Sequence, residues 1–382
     1  MLINVLAIGD PHFRISTVRE TTLMELRIME LIDNHPSLSA VIVMGDIHHS
    51  HSKINMQVQV RATDFLINLS KRLPTYVLVG NHDIAHNECF LPKEHSLYPL
   101  KFVPSLNIID YPVVVELHDR SVDSDDSITD SIVDEKSEKS EKNMKSKSER
   151  VTMCPFIPKN RFFEALDLCP EWRESVAVFA HQEVRGVKLG SIESNSTDIW
   201  SNDLMRLFSG HVHTYFDWEN GTYIGTPFSQ NFGETDPKTV SILTYHPPTG
   251  EAVRGIWTEV RHNLNIPQHL QDRCTVEDLH DPQSLKVHDL MTILSTAYPT
   301  GTKFKLKVQG SAEQLSYIHT IPLIEQLSIK FDFTLEKIAI TQFSDIDYVE
   351  QSNFGEMFFS YLHHQGQGTE VIDLAKRWSS AS

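Results

Sequence analysis

The chain has 382 residues, of which 40% are hydrophobic and 22% charged, and a net charge of −17. That length is too great for one small core and predicts about two domains, with the composition of an ordinary soluble globular protein. The sequence holds no apolar run long enough to span a bilayer, and its acidity argues against a tight, sequence-independent DNA binder acting alone.

Residues 2–8 read as a buried strand that begins at once, without a signal peptide, and ends in Gly9-Asp10-Pro11-His12. Leu23, Leu26, Met29, Leu31 and Ile32 predict a helix over 17–34, stopped by Pro36. A second strand over 40–44 ends in Gly45-Asp46. Val58, Ala62, Phe65, Leu66 and Leu69 predict a helix over 56–71, and a third strand over 75–79 ends in Gly80-Asn81-His82-Asp83. Continuously apolar strands alternating with helices indicate an α/β sheet covered on both faces. In such a sheet the loops at the carboxyl ends of the strands converge on one edge. Glycine suits those loops, because it allows sharp turns and close backbone approach.

Residues 107–117 read as a strand pair interrupted by Pro112. Residues 119–150 are almost entirely Ser, Asp, Glu and Lys, too polar to offset their ordering entropy, and predict a disordered surface insertion. A strand over 151–154 and a helix over 160–168 follow. Two more apolar runs, 175–180 and 204–209, end in His181 and in Gly210-His211-Val212-His213. Residues 240–245 and 252–257 predict a hairpin across Pro247-Pro248-Thr249-Gly250. After residue 258 a polar, His-rich connector runs to about 300. A strand over 303–308, a helix over 311–326 and strands within 328–340 then predict a small α+β domain without a ligand cluster. Two terminal helices are expected over 354–363 and 369–378. The four cysteines, Cys89, Cys154, Cys169 and Cys274, lack CxxC spacing and read as reduced thiols in a cytosol-like compartment.

The candidate metal ligands are Asp10, His12, Asp46, Asn81, His181, His211 and His213. Seven oxygen and nitrogen ligands exceed what one ion of ordinary coordination needs, and they suit two ions sharing one carboxylate. Mixed Asp and His ligands favour Mn²⁺, Fe²⁺ or Zn²⁺ over Ca²⁺ or Mg²⁺. Such a pair activates water and neutralises charge on a phosphoryl group. His82 is then a candidate proton donor to the leaving oxygen, or a phosphate positioner, with Asp83 as the carboxylate that orients it. A lone Asp-x-His is usually incidental; the five-part series in this order is specific. Histidines such as His86, His95, His246 and His363 read as solvated surface.

These five motifs, within residues 1–258, resemble the calcineurin-like metallophosphoesterase superfamily. The resemblance implies a β-sandwich flanked by helices, with a dinuclear site at the sheet edge. It implies Asp10, His12 and His213 on one ion, Asn81, His181 and His211 on the other, Asp46 bridging and His82 as catalytic acid. Within the superfamily, Gly-Asp-Pro-His-Phe, Gly45-Asp46-Ile47-His48-His49 and Tyr223-Ile224-Gly225-Thr226-Pro227 with Phe232-Gly233-Glu234 resemble the SbcD-type nucleases of DNA double-strand-break repair and recombination. That likeness implies two Mn²⁺ ions, His49 as a phosphate-positioning residue, and residues 259–382 as connector, DNA-capping domain and terminal helices. It also implies a homodimer bound to an SbcC-type SMC-like ATPase, DNA as substrate and no membrane. The setting would be intracellular, cytoplasmic or nucleoid-associated, and extends to phage and viral proteins in a host cell. His48 departs from the family in replacing an aromatic, and the 119–150 insertion is not part of the family core. The competing readings are a phosphodiesterase for a nucleotide or other small molecule, and a non-catalytic subunit that tethers DNA ends.

Overall fold

A computed structural model describes residues 2–120, 148–185, 188–189, 192–234, 236–250 and 254–340. The expected terminal helices and most of the predicted insertion lie outside these residues. In chain order the first unit comprises β1 (Ile3–Ile8), α1 (Val18–Asp33), β2 (Leu38–Val43), α2 (Met56–Ser70), β3 (Thr75–Leu78) and β4 (Leu106–Ile109). It continues with β5 (Val113–His118), β6 (Ser148–Cys154), α3 (Phe162–Leu166), β7 (Ala177–Ala180) and a small hairpin of β8 (Lys188–Leu189) and β9 (Ile192–Glu193). It ends with β10 (Arg206–Ser209), β11 (Phe216–Trp218), β12 (Gly221–Tyr223), β13 (Val240–His246) and β14 (Ile256–His262).

These strands form two six-stranded sheets, ordered β14-β13-β1-β2-β3-β4 and β11-β12-β10-β7-β6-β5. Alternation along each strand sends one set of side chains between the sheets and the other outward. Val5, Ala7, Ile42 and Leu78 of the first sheet meet Met153, Phe179 and Phe208 of the second. On the outer face of the first sheet, Leu6, Val41, Val43 and Val77 share a core with Met24 and Ile28 of α1 and Phe65 and Leu66 of α2. On the outer face of the second, Val178 and Leu207 pack with Phe162, Trp172 and Trp200. Each such side chain contributes roughly 1.5–3 kcal/mol on burial. The result is a β-sandwich flanked by helices, and burial on both faces is why the central strands read as continuous apolar runs.

Several elements differ from expectation. The pair expected around Pro112 is two strands of different sheets: β4 edges the first and β5 the second. Pro112, with no N–H to donate to a ladder, sits where the chain crosses over. The insertion is shorter than expected at its far end, because Ser148, Glu149 and Arg150 already pair with His118, Leu117 and Glu116 in β6. The second hairpin strand lies at 256–262, not 252–257, with Trp257 opposite Tyr245.

The stretch expected as a connector to residue 300 is mostly regular. It holds β15 (His269–Thr275), α4 (Val276–His280) and α5 (Leu285–Ser295). Thr275 caps α4 in a reciprocal pair with Asp278, and Ser284 caps α5 through the Lys286 N–H. Next come β16 (Lys303–Gly310), α6 (Ala312–Ser316), α7 (Pro322–Lys330) and β17 (Asp332–Ala339). The single helix expected over 311–326 is split because Pro322 can begin a helix but not continue one. The three strands are parallel in the order β15-β16-β17, so this small C-terminal unit is built of two helical crossovers. Phe304, Leu306 and Val308 face its own helical core, and Lys303, Lys305 and Lys307 alternate with them on the other face.

Lys303 and Lys305 of that row meet the first unit, whereas Lys307 pairs with Glu336 of β17. Lys303 Nζ lies 3.2 Å from Glu20 Oε1 on α1, with His269 at 3.8 Å from the same oxygen. Arg19 donates to the Thr300 carbonyl at 3.1 Å. Lys305 Nζ is 4.8 Å above the Phe232 ring, and His269 stacks on that ring at 5.1 Å. Burial pushes the Glu20 carboxyl up, but His269 and Lys303 more than offset this and hold it at about 2, below its ordinary 4.5. A depressed folded pKa contributes stability that is complete above pH 4.5 and lost as pH falls toward 2. Glu20→Gln is expected to lower the first urea-unfolding transition by about 1–2 kcal/mol at pH 7. The gap from wild type should stay constant down to about pH 5 and close below pH 4.5.

Candidate metal centre

Five parallel strands, β1, β2, β3, β7 and β10, deliver their following loops to one edge of the sandwich. The first two loops are zipped together beyond the sheet. His12 N donates to Asp46 O at 3.0 Å, Phe13 N to Ile47 O at 2.8 Å and His49 N to Phe13 O at 3.2 Å. The turn geometry is strained where the ligands sit: His12, Asp46 and His211 have φ of 43°, 51° and 76°. Left-handed backbone at non-glycine residues costs about 1–3 kcal/mol each and clusters at functional sites. Gly45 takes φ 110°, and a Cβ there would lie 2.4 Å from His181 Nδ1. A Cβ at Gly80 would lie 2.2 Å from Asp46 N, so these glycines let three loops close on one another.

The seven expected ligands come together. His12 Nε2 and His213 Nε2 are 2.9 Å apart, and with Asp10 they form one group of converging ligand atoms. Asn81 Oδ1 lies 3.0 Å from His181 Nε2 and 2.9 Å from His211 Nδ1; those two histidines form a second group with Asp46. Asp46 faces both groups, Oδ2 at 3.6 Å from His12 Nε2 and Oδ1 at 3.4 Å from His181 Nε2. Ligands about 2.0–2.2 Å from a shared ion are separated by about 3 Å.

The ring orientations are set from behind. His181 Nδ1 lies 2.7 Å from the Met44 carbonyl, and His213 Nδ1 lies 2.9 Å from Glu234 Oε1. These acceptors place the proton on Nδ1 and leave Nε2 as the ligand atom, the usual arrangement behind a metal-bound imidazole. Lys238 fixes Glu234 at 3.0 Å and donates to the His213 carbonyl at 2.9 Å.

Burial and neighbouring charge shift the six titratable candidate ligands. Burial raises the Asp10 carboxyl to about 7, against the opposing pull of His181. Burial also raises Asp46, but His181 and His12 outweigh it and hold the carboxyl well below its ordinary range. Burial pulls His181 down, yet Asp46 and Asp10 lift it to about 9. Burial and the neighbouring His181 drop His211 to about 4. A buried cluster that pushes like groups in opposite directions marks a functional site. Asp10 Oδ1 is buried with no hydrogen-bond partner. An orphan carboxylate oxygen facing two imidazoles fits a cation, so the donor set and its geometry suit a divalent metal centre.

The three expected catalytic residues divide. His82 N donates to Asp46 Oδ1 at 2.8 Å, and His82 Nδ1 lies 2.7 Å from the His49 carbonyl, which leaves Nε2 open. His49 packs its ring 5.5 Å from His12, at the same edge. Asp83 does not orient His82. Its carboxylate accepts from Gly80 N at 3.0 Å and from Ile47 N and His48 N at 3.2 Å each, so it ties the β3 loop to the β2 loop. The reason is that the three-residue 3₁₀ turn Asn81–Asp83 points consecutive side chains in different directions. Residues that motif reading did not assign are Glu234 and Lys238 behind His213, Arg14 beside His49 at 3.3 Å, and His51, whose ring stacks on His82 at 4.2 Å. Only Glu234 carried a signal, as part of Phe232-Gly233-Glu234.

A family model of calcineurin-like phosphoesterases matches residues 3–215. The chain belongs to that family. It is similar to "Putative phosphoesterase 078R" of Invertebrate iridescent virus 3, 30% identical over 376 residues, which are 97% of this chain and 94% of that one. It is also similar to "Putative phosphoesterase 244L" of Invertebrate iridescent virus 6, 30% identical over 248 residues, 64% of this chain and 77% of the relative. Metallophosphoesterase chemistry is therefore the class of this site. No helix among the described residues is long and apolar enough to cross a membrane.

Two divalent ions per chain are expected by equilibrium dialysis with Mn²⁺ and elemental analysis. Asp46→Ala should lower the tightly bound count to one or none, and Glu234→Ala should weaken one ion about 10–100-fold while leaving the other.

Proposed function

We propose that the protein is a Mn²⁺-dependent nuclease that hydrolyses phosphodiester bonds at DNA ends in recombination and break repair. The observation that carries this reading is a centre with a buried floor and an open rim. Asp10, His12, Asp46 and His181 are buried, whereas His49, His82, His211 and His213 are partly exposed along one side. Small-molecule sites usually enclose most of their ligand, but an open rim admits a polymer. The small C-terminal unit rests beside that rim, against Phe232, two residues from the Glu234 that holds His213. Its position suits a cap over a long substrate.

When bound, two divalent ions supply charge neutralisation at the phosphoryl group and activation of water. The protein's own contribution is placement. Arg14 donates to His49 Nε2, so the His49 proton sits on Nδ1, a buried donor without a protein partner. Burial and the Arg14 charge lower the His49 pKa, which keeps it a neutral donor suited to holding a phosphate oxygen. His82 Nδ1 donates to the His49 carbonyl, so Nε2 carries a proton only in the imidazolium form; in this reading the imidazolium passes its Nε2 proton to the leaving oxygen and ends as the neutral ring. In this reading the chain acts as a homodimer with an SbcC-type ATPase that supplies much of the DNA grip. That division of labour accommodates a net charge of −17.

Purified protein with Mn²⁺ is expected to cleave linear duplex DNA and bis-p-nitrophenyl phosphate. His82→Ala should lower both rates about 10²–10⁴-fold, and Asp46→Ala should abolish them. Cleavage of the small diester without any cleavage of DNA, even with the ATPase present, would identify a small-molecule phosphodiesterase instead. DNA binding with neither cleavage would identify a tethering subunit.

A further inference from the structure

Beside the metal centre lies a cavity of about 130 Å³ whose walls include Arg14, His48, Ser50, Lys53, Asn55 and Val58. No acidic residue lines it, although the chain as a whole carries 51 acidic residues against 34 basic ones. Lys53 is exposed and makes no hydrogen bond or ion pair among the described residues. The cavity opens at the amino end of α2, a helix of 15 residues with no acidic side chain in its first turn. The amide donors and positive dipole end of such a helix favour an anion. Asn55 satisfies only one of those donors, the Gln57 N–H.

An independent observation points the same way. His48 is 1% exposed, and its Nε2 is buried without a hydrogen-bond partner. Its Nδ1 lies 3.0 Å from Ser96 Oγ and 3.4 Å from Asp83 Oδ1. His48 lines the cavity, and with Ser96 Oγ donating to Nδ1 the ring proton sits on Nε2, a donor left without a partner on this side chain. The bridge between Phe13 and His48 fixes the two loops that carry these walls. Arg14 belongs to both sites, since it lines the cavity and its Nη1 lies 3.3 Å from His49 Nε2.

We propose that this cavity is a phosphate subsite, holding the substrate phosphate that adjoins the scissile one. It rests on the reading of the substrate as a polynucleotide, and it makes the enzyme prefer chains of two or more phosphates over a lone diester. Arg14 couples the two positions: a phosphate held by Arg14 and Lys53 sets the register in which its neighbour meets His49.

The test separates the cavity from the chemistry. The full chain stripped of metal is titrated with inorganic phosphate and followed by ³¹P NMR. Wild type and Lys53→Arg should bind, and Lys53→Glu should bind about tenfold more weakly or worse. Lys53 is exposed, and circular dichroism should show an unchanged fold. With Mn²⁺, Lys53→Glu should raise the KM for tetrathymidylate about tenfold, with kcat unchanged and bis-p-nitrophenyl phosphate hydrolysis unaffected. Equal phosphate affinity in wild type and Lys53→Glu, or no binding in either, overturns the subsite. Weakened phosphate binding with an unmoved KM for tetrathymidylate makes the cavity an effector site and overturns its role in substrate binding. Wild type that cleaves bis-p-nitrophenyl phosphate but neither tetrathymidylate nor linear duplex DNA, even with the ATPase present, defeats the nuclease reading, while the phosphate titration still decides whether the cavity takes the anion.

Discussion

Asp46 places one carboxylate oxygen 3.6 Å from His12 and the other 3.4 Å from His181, while also accepting the backbone N–H of His82. Three separate loops therefore meet on one buried side chain. Its backbone is left-handed, and the residue before it is glycine because a Cβ there would meet His181 and Gly80 of the β3 loop. A buried carboxylate without compensating charge is costly, and here the compensation comes from imidazoles on both sheets. The sandwich architecture is what makes this arrangement available, since each sheet supplies part of the ligand set at a shared edge.

The same constraint explains which parts of the protein were legible in its sequence. Five apolar runs each ended in a short segment bearing candidate ligands, and both halves of that pattern have a physical origin. Strands buried on both faces must be apolar throughout, and loops at their carboxyl ends must carry the chemistry. The candidate ligands Asp10, His12, Asp46, Asn81, His181, His211 and His213 are therefore grouped by the sequence pattern alone, and the fold brings them together. Partnerships across loops were not legible in the same way. Asp83 sits beside His82 in the chain but spends its carboxylate on Gly80, Ile47 and His48, because a tight 3₁₀ turn separates neighbouring side chains. Glu234 is 21 residues from His213, and its contact depends on how the loop after β12 returns to the edge.

The small C-terminal unit was the least legible element. Its strand β15 reads His-Leu-Gln-Asp-Arg-Cys-Thr, with too few apolar residues to announce a strand, because only one face meets its own core. The other face of the sheet carries His269 of β15 with Lys303 and Lys305 of β16, which meet Glu20 and Phe232 of the first unit. The caps Thr275-x-x-Asp278 and Ser284 were the available signals for its first two helices. This unit touches the loop that positions His213, so the interface between units and the metal centre share a structural element. Placement of the C-terminal unit and placement of His213 are thus physically linked through residues 232–234.

The central claim is that one carboxylate, Asp46, joins two ion positions into a single centre. Electron paramagnetic resonance of the full chain loaded with Mn²⁺ reads this directly. Two ions held by a shared carboxylate give a spin-coupled spectrum at full loading, and Asp46→Ala converts it to that of isolated ions. A wild-type spectrum of magnetically independent Mn²⁺ at every loading would contradict the account.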